Sequence, residues 1–332
     1  MRPHQSEVLR IAAYRCAPAL AVAMLSTALA SGAQAAYPDR PIVFVVAYAP
    51  GGGTDTAARA LARGLSTQLK QSIIVENRPG AGGTIGAGQV QRAASDGYTF
   101  LFADPAFVIN TGLMPNVGYN LKTDFTPVST VTMSPLVLSV HPALPVKDIA
   151  ALDELARTKP GGLSYSSAGI GTTPHMAGEM LRFATKAPFT HIPYKGSGPA
   201  MSNLVAGQLD FSFSTIAAAK PFIQQKMIKA IATTGPTRSA EFPDVPAIAE
   251  TIPGYQVLFW TALFAPAKTP PAIIDAMNTA VRNALADPET KATIERSGDT
   301  ATYLPTEKVG GFVDDELRRW NSLVKEANIR PE

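Results

Sequence analysis

Few side chains in this sequence could act as catalysts or metal ligands. The chain has four histidines and one cysteine, and beyond residue 35 only His141, His175 and His191 remain. None of these histidines lies in an H-E-x-x-H motif, and without thiolates a zinc site has little support. The sequence also lacks G-x-S-x-G, the motif that presents a nucleophilic serine in α/β hydrolases. These residue types favour a binding protein over an enzyme.

Two catalytic arrangements stay open as alternatives. His175 and Asp210 could complete a triad with a serine, because a triad needs a nucleophile, a base and an orienting carboxylate. The candidate nucleophiles are Ser166 and Ser167. Asp104 and Asp210 could instead form a carboxylate pair for acid–base chemistry. For these aspartates, we favour a role as strand-end caps or as contacts to the donor groups of a ligand.

Glycine and hydroxyl-bearing residues cluster at four junctions, each leading from a predicted strand into a predicted helix. The junctions span residues 48–55, 77–86, 166–173 and 194–199. None is a nucleotide-binding motif, because Thr56, Ile85 and Pro174 stand where G-x-G-x-x-G needs its third glycine. No Gly-Lys-Ser/Thr triplet occurs either. We therefore expect no nucleotide or other cofactor.

Such junctions are suited to binding an anion. The first turn of a helix has unpaired N–H groups and a partial positive charge. Glycine lets the backbone approach a ligand closely, and ligands of open α/β sheets bind beyond the carboxyl ends of the strands. Four junctions together predict a cleft lined by backbone donors and hydroxyl groups, with no evident nucleophile or base.

The pattern of apolar residues indicates which elements hold these junctions. Residues 42–46 form an unbroken apolar strand, and Leu61, Leu65 and Leu69 recur at the spacing of one helix face. Similar strands and helices alternate along the rest of the chain. This alternation predicts an α/β architecture with mainly parallel sheets.

Two extended runs indicate the domain organisation. Residues 137–140 and 258–260 flank a self-contained segment of strands and helices. If the chain passes from one domain to the other at each of these two runs, the first domain is discontinuous and the second domain is inserted in it. The predicted first domain comprises residues 36–137 plus 258–332, and the predicted second domain comprises residues 138–257.

The first 35 residues have the features of a secretory signal peptide. Three arginines precede a charge-free, mostly apolar run at 17–30, and Ala33-Gln34-Ala35 supplies the small residues of a cleavage site. The run is too short for the ~20 residues of a transmembrane helix. Cleavage before Ala36 would leave 26 basic and 25 acidic residues and would remove Cys16. A nearly neutral chain without a basic stripe is not expected to bind nucleic acid.

A series of short motifs runs in order through residues 36–330. It includes YAPGGGTD at 48–55 and VENRPGAGG at 75–83, and it continues at 96–99, 169–175, 193–196, 207–210 and 243–246. In this order the motifs resemble the Bordetella uptake gene (Bug) family, the periplasmic receptors of tripartite tricarboxylate transporters. One departure is Ala262, since the family often has glycine soon after the tryptophan that is Trp260 in this sequence.

The resemblance implies a type II periplasmic binding fold, in which two α/β lobes close over a small ligand in the periplasm. It implies a receptor rather than an enzyme. The ligand would be a tricarboxylate, a dicarboxylate, an aromatic acid or an acidic amino acid, and membrane permease subunits would receive it. Two other functions stay open: a secreted α/β hydrolase-like enzyme, and a sensor subunit for a signalling partner.

The resemblance also implies which residues bind the ligand. From the first lobe these would be Tyr48, Gly51, Gly52, Thr54, Asp55, Gly82 and Thr84. From the second lobe they would be Ser167, Ala168, Gly171, Thr172, Thr173, His175 and Lys195, with Asp210 and Thr215 deeper in the cleft.

Overall fold

The computed structural model describes residues 37–330. The predicted signal peptide, residues 1–35, lies outside these described residues. Residues from Arg40 onward form one unit, which contains the described helices and strands. None of the described helices is long and apolar enough to cross a membrane.

Five strands form the first sheet, in the order β2-β1-β3-β9-β4. Strand β1 pairs in parallel with β2 and β3, whereas β9 runs antiparallel to both β3 and β4. Strand β1 is the predicted apolar strand, and four of its five residues are buried. The bounds are β1 (Ile42–Val46), β2 (Ile73–Asn77), β3 (Thr99–Ala103), β4 (Phe125–Val140) and β9 (Leu258–Pro266).

The second sheet begins where β4 continues beyond the first. Strand β4 pairs with β9 as far as Pro135, and from Leu136 onward it pairs with β7 and β8. Strand β5 runs parallel to β6 and β7, which gives the order β4-β7-β5-β6 with β8 on the other edge of β4. The bounds are β5 (Leu163–Ser167), β6 (Phe189–Pro193), β7 (Phe211–Thr215) and β8 (Lys229–Thr233).

Helices follow most strands and pack on the sheets. They are α1 (Gly53–Leu69), α2 (Thr84–Gln91), α3 (Ala106–Leu113), α4 (Ile149–Thr158), α5 (Thr173–Thr185), α6 (Ser197–Val205), α7 (Ile216–Gln224), α8 (Pro271–Ala286), α9 (Pro288–Arg296) and α10 (Thr306–Glu326). Short 3₁₀ turns occupy Ala81–Gly83 and Ile248–Glu250. In α1, Leu61 and Leu65 are fully buried, as their spacing predicts.

The α/β prediction is confirmed, but the sheets are mixed rather than mainly parallel. Among the described strands, four of the eight pairings are antiparallel. The cause is the pair of long strands β4 and β9, which run against their neighbours. One tryptophan of β9 holds α10 against the sheet, since Trp260 donates to Oε2 of buried Glu316 at 2.7 Å. Within α10, Trp320 donates to the same oxygen at 3.0 Å.

Candidate functional site

The four glycine-rich junctions meet face to face. They follow β1, β2, β5 and β6, at the carboxyl ends of parallel strands in the two sheets. A methyl group on Gly82 would lie 2.9 Å from the carbonyl oxygen of Ile170 in the facing loop. One on Gly53 would lie 2.8 Å from Cγ2 of Thr215. Residues larger than glycine would hold these loops apart.

A small cleft lies between the facing loops. Its volume of about 30 Å³ has room for one or two water molecules, so the loops are in a closed arrangement. Seven predicted site residues line it, namely Tyr48, Gly52, Thr54, Ala168, Thr172, Thr173 and Thr215. The lining also includes Asp104, an expected strand-end cap or ligand contact, and six residues that were not predicted: Ala49, Gly53, Pro174, Gly196, Ser197 and Phe259.

Three helices begin at residues that line this cleft. They are α1 at Gly53, α5 at Thr173 and α6 at Ser197, and none has a side-chain hydrogen bond to its N-terminus. In contrast, Asp148 caps α4 and Asp287 caps α9 with carboxylate oxygens. The uncapped first turns leave backbone N–H groups available, and the helix dipoles favour an anion there.

A buried carboxyl group forms the floor of the cleft. Asp104 follows β3 and is 5% exposed. Its Oδ1 accepts from the hydroxyl of Tyr48 at 2.9 Å and the N–H of Ala106 at 3.0 Å, while Oδ2 accepts from the hydroxyl of Thr54 at 2.8 Å. Burial raises the pKa of Asp104 to about 6, although the three hydrogen bonds oppose the increase.

Four predicted residues on the side of the first sheet shape the loops beside the cleft. Asp55 accepts from the N–H of Gly51 at 3.0 Å and is paired with Arg59 at 2.9 Å. Burial alone would raise the pKa of Asp55, but hydrogen bonds from Arg59, Gly51 and Asn77 lower it. The Asp55 carboxylate therefore stabilises its own loop. Gly82 accepts from Asn110 at 2.8 Å and Thr84 donates to Ala81 at 3.0 Å, which fixes the second junction.

On the side of the second sheet, Ser167 and His175 support the loop that carries Gly171. Nδ1 of His175 accepts from the N–H of Gly171 at 3.2 Å, and the His175 ring stacks on His191 with centroids 4.2 Å apart. Oγ of Ser167 lies 2.7 Å from Nε2 of His191 and donates to the carbonyl of Gly169. Burial lowers the pKa of His175 to about 4, so the ring is neutral at pH 7.

Nine of the sixteen predicted residues lie outside the lining of the cleft, and the two not yet described are Lys195 and Asp210. Lys195 is exposed, although its neighbour Gly196 is part of the lining. The placement of Asp210 deep in the cleft is wrong, because Asp210 precedes β7 while Thr215 ends it, about 16 Å along the strand. There Asp210 pairs with Lys159 at 2.6 Å and accepts from the N–H of Ser164.

The alternative catalytic arrangements do not assemble. Asp210 is bonded to Lys159 and Ser164, while His175 accepts from a backbone N–H, so the two do not form a triad with Ser166 or Ser167. The Asp104–Asp210 pair is likewise excluded by the position of Asp210. Across residues 37–330, no cluster of three or more His, Cys, Asp or Glu side chains could hold a metal ion.

Comparison with known proteins identifies the fold. The family described as "Tripartite tricarboxylate transporter family receptor" (TctC) matches residues 57–329. The structure of the periplasmic binding protein BugD is similar, with a TM-score of 0.85 and 33% identity over 89% of this chain and 100% of that one. The architecture is therefore that of the periplasmic binding proteins of this type.

Two similar structures contain a bound acid. Rpa4515 of R. palustris with adipate has a TM-score of 0.86 and 33% identity, covering 89% of this chain and all of that chain. MatC from Rhodopseudomonas palustris with bound malate has a TM-score of 0.82 and 32% identity, covering 87% and 100%. The resemblance seen in the sequence motifs is confirmed. This chain belongs to the tripartite tricarboxylate transporter receptor family, TctC, together with the Bug proteins.

Proposed function

We propose that this chain is a periplasmic receptor that captures a small carboxylate between two lobes and delivers it to the permease subunits of a tripartite transporter. One observation carries the proposal: three uncapped helix N-termini, one from the first sheet's side and two from the second's, converge on a single cleft. Such termini bind anions. The adipate and malate held by two relatives are small carboxylates.

The proposed lobes are residues 36–137 plus 258–332 and residues 138–257. Strand β4 passes from one sheet to the other between Pro135 and Leu136, and β9 begins at Leu258. These crossings are the natural hinges. A cleft of about 30 Å³ is too small for an acid such as malate, so capture requires the lobes to open, admit the solute and close again.

A thermal-shift screen over mono-, di- and tricarboxylates tests the capture step. A ligand that binds only the native state raises its stability by RT ln(1 + [L]/Kd), ~2.7 kcal/mol at 100 Kd. Ala168→Leu would fill the cleft and should abolish the shift given by the best acid. Ala206→Leu is a matched control, since Ala206 is exposed at the end of α6. No shift with any acid of the screen would contradict the proposal.

Delivery needs a separate test in cells. A strain that lacks the protein should lose uptake of the acid identified in the screen. Uptake should return with the wild-type chain and with Ala206→Leu, but not with Ala168→Leu. Normal uptake in the deletion strain, together with binding in vitro, would argue against a permease as the recipient and favour a signalling partner.

A further inference from the structure

The floor of the cleft consists of hydrogen-bond acceptors. A hydroxyl group has one proton to donate, and both Tyr48 and Thr54 direct that proton to Asp104, at 2.9 and 2.8 Å. The second acceptor near Tyr48, the carbonyl of Gly82, is more distant at 3.5 Å. With their protons used, both hydroxyl oxygens can only accept from a solute, and the carboxylate of Asp104 can only accept while it is ionised.

The walls of the cleft have the opposite character, because they present backbone donors at the starts of α1, α5 and α6. Thr54 joins the two regions. Its backbone N–H lies in the first turn of α1, and its side-chain hydroxyl donates to Asp104, which leaves the hydroxyl oxygen as an acceptor. The backbone donors of the walls and the hydrogen-bond acceptors of the floor are thus within one residue of each other. A solute that satisfies both must carry its carboxylate and a donor group on the same or adjacent carbon atoms.

We propose that Asp104 is the specificity-determining residue of the cleft, selecting carboxylates that carry a neighbouring hydroxyl or ammonium group over plain alkyl acids. This inference rests on the proposed function and deepens it. A plain dicarboxylate would leave the buried acceptors of the floor unpaired, or would place a second negative charge beside Asp104. Either situation is unfavourable, because unpaired buried polar groups and like charges in a dry site both reduce affinity.

The pH of the experiment determines whether Asp104 is ionised. Its pKa is about 6, and the titratable groups facing it are Tyr48 and Tyr119, whose pKa values burial raises well above 10. At pH 8 Asp104 is therefore ionised and both tyrosines are neutral. In this state the floor accepts hydrogen bonds and favours a cationic donor.

Matched acids test the inference by isothermal titration calorimetry at pH 8. Each set differs only at the second carbon: succinate, malate and aspartate; glutarate, 2-hydroxyglutarate and glutamate; propionate, lactate and alanine. In the wild type we expect the hydroxy or amino member of the best-bound set to bind at least tenfold more tightly than the plain acid. This comparison needs no variant, so it stands even where a substitution prevents folding.

Two variants then assign the selection to Asp104. Asp104→Asn should reduce the preference below threefold, whereas Asp210→Asn, the same change at the other end of the second sheet, should leave it intact. Equal binding of plain and substituted acids by the wild type would overturn the inference and leave the proposed function standing. A preference that persists in folded Asp104→Asn would overturn it as well. Binding of no acid from any set, together with no shift for any acid in the thermal-shift screen, would overturn the proposed function itself.

Discussion

Closure of the cleft can be opposed by one added methyl group. Gly53 is the first residue of α1, and a Cβ atom there would lie 2.8 Å from Cγ2 and 3.0 Å from Oγ1 of Thr215, the last residue of β7 on the other side of the cleft. Alanine is favoured over glycine within a helix by up to about 1 kcal/mol. Gly53→Ala should therefore leave folding intact while it obstructs the closed arrangement.

The size of the effect follows from these distances. Carbon atoms in favourable contact lie about 3.5–4.0 Å apart, so the loops must separate by roughly 1 Å or Thr215 must move. Overpacking of this kind costs about 1–3 kcal/mol, which corresponds to roughly 5- to 140-fold in affinity. In the proposed open form, Gly53 and Thr215 would be on separated lobes and the contact would be absent. The free-energy cost of overpacking therefore opposes closure of the cleft and weakens ligand binding.

Calorimetric titration with the best acid from the screen measures this loss. Gly311→Ala is the matched control, because Gly311 lies in α10 with no atom within 4 Å of an added Cβ. Thr215→Ser removes the nearest atom and should restore at least part of the affinity when combined with Gly53→Ala, relative to Thr215→Ser alone. If Gly53→Ala binds within twofold of the wild type, the facing loops do not close on the ligand as described.

Four further outcomes are expected. Because burial lowers the pKa of His175 from 6.5 to about 4, its contribution to stability is present above pH 6.5 and is lost as the pH falls towards 4. Over this pH range, the free energy of unfolding measured with urea should fall by up to about 3 kcal/mol less for His175→Gln than for the wild type. Burial raises the pKa of Asp299 from 3.8 to about 7, so its stabilising contribution disappears as the pH rises through 7. The free energy of unfolding of Asp299→Asn, relative to that of the wild type, should therefore be about 2 kcal/mol higher at pH 8 than at pH 5 in urea unfolding. Lys195→Ala should weaken binding less than tenfold in titration, because the ammonium is exposed. The intact mass of the exported protein should be that of a chain beginning at Ala36; a product that retains Met1 would contradict the predicted cleavage.

Local sequence pattern was sufficient for the elements that build the cleft. An unbroken apolar run predicted β1, leucines at helical spacing predicted α1, and glycine clusters at strand ends predicted the four junctions. Each of these signals depends only on neighbours along the chain. Their convergence followed from the rule that parallel strands present their carboxyl ends at the same edge of a sheet.

The first half of β4 could not be predicted in the same way. It is rich in hydroxyl residues, a composition that suggests a solvent-exposed loop, yet Thr130, Thr132 and Ser134 are buried. Partners distant in sequence satisfy them: Thr132 is 2.7 Å from the hydroxyl of Thr261, and Thr130 donates to the carbonyl of Thr302 at 2.6 Å. A polar strand is buried in this sheet because long-range hydrogen bonds replace those to water, and no local pattern records such partners.

The error at Asp210 concerns the two ends of one strand. The family resemblance implied that Asp210 lies deep in the cleft with Thr215, whereas β7 begins at Phe211 and ends at Thr215. Asp210 therefore precedes the amino end of β7, opposite the cleft. Asp104 shows the reverse case, because β3 ends at Ala103 and leaves the next residue at the carboxyl end. Strand boundaries, more than strand existence, decide which carboxylate faces the ligand.

Recognition in the proposed receptor divides between backbone and side chains, and this division explains what the sequence can disclose. The backbone donors of α1, α5 and α6 bind a carboxylate whatever the rest of the solute is, so the glycine junctions that expose them indicate only a class of ligand. Asp104 acts on the atoms beside that carboxylate, and it does so by fixing the protons of Tyr48 and Thr54. Replacing this single carboxylate would reverse the hydrogen-bonding character of the floor without altering the junctions. Two chains with the same junction motifs can therefore bind different acids, and the residue that follows β3 is the one that must be compared.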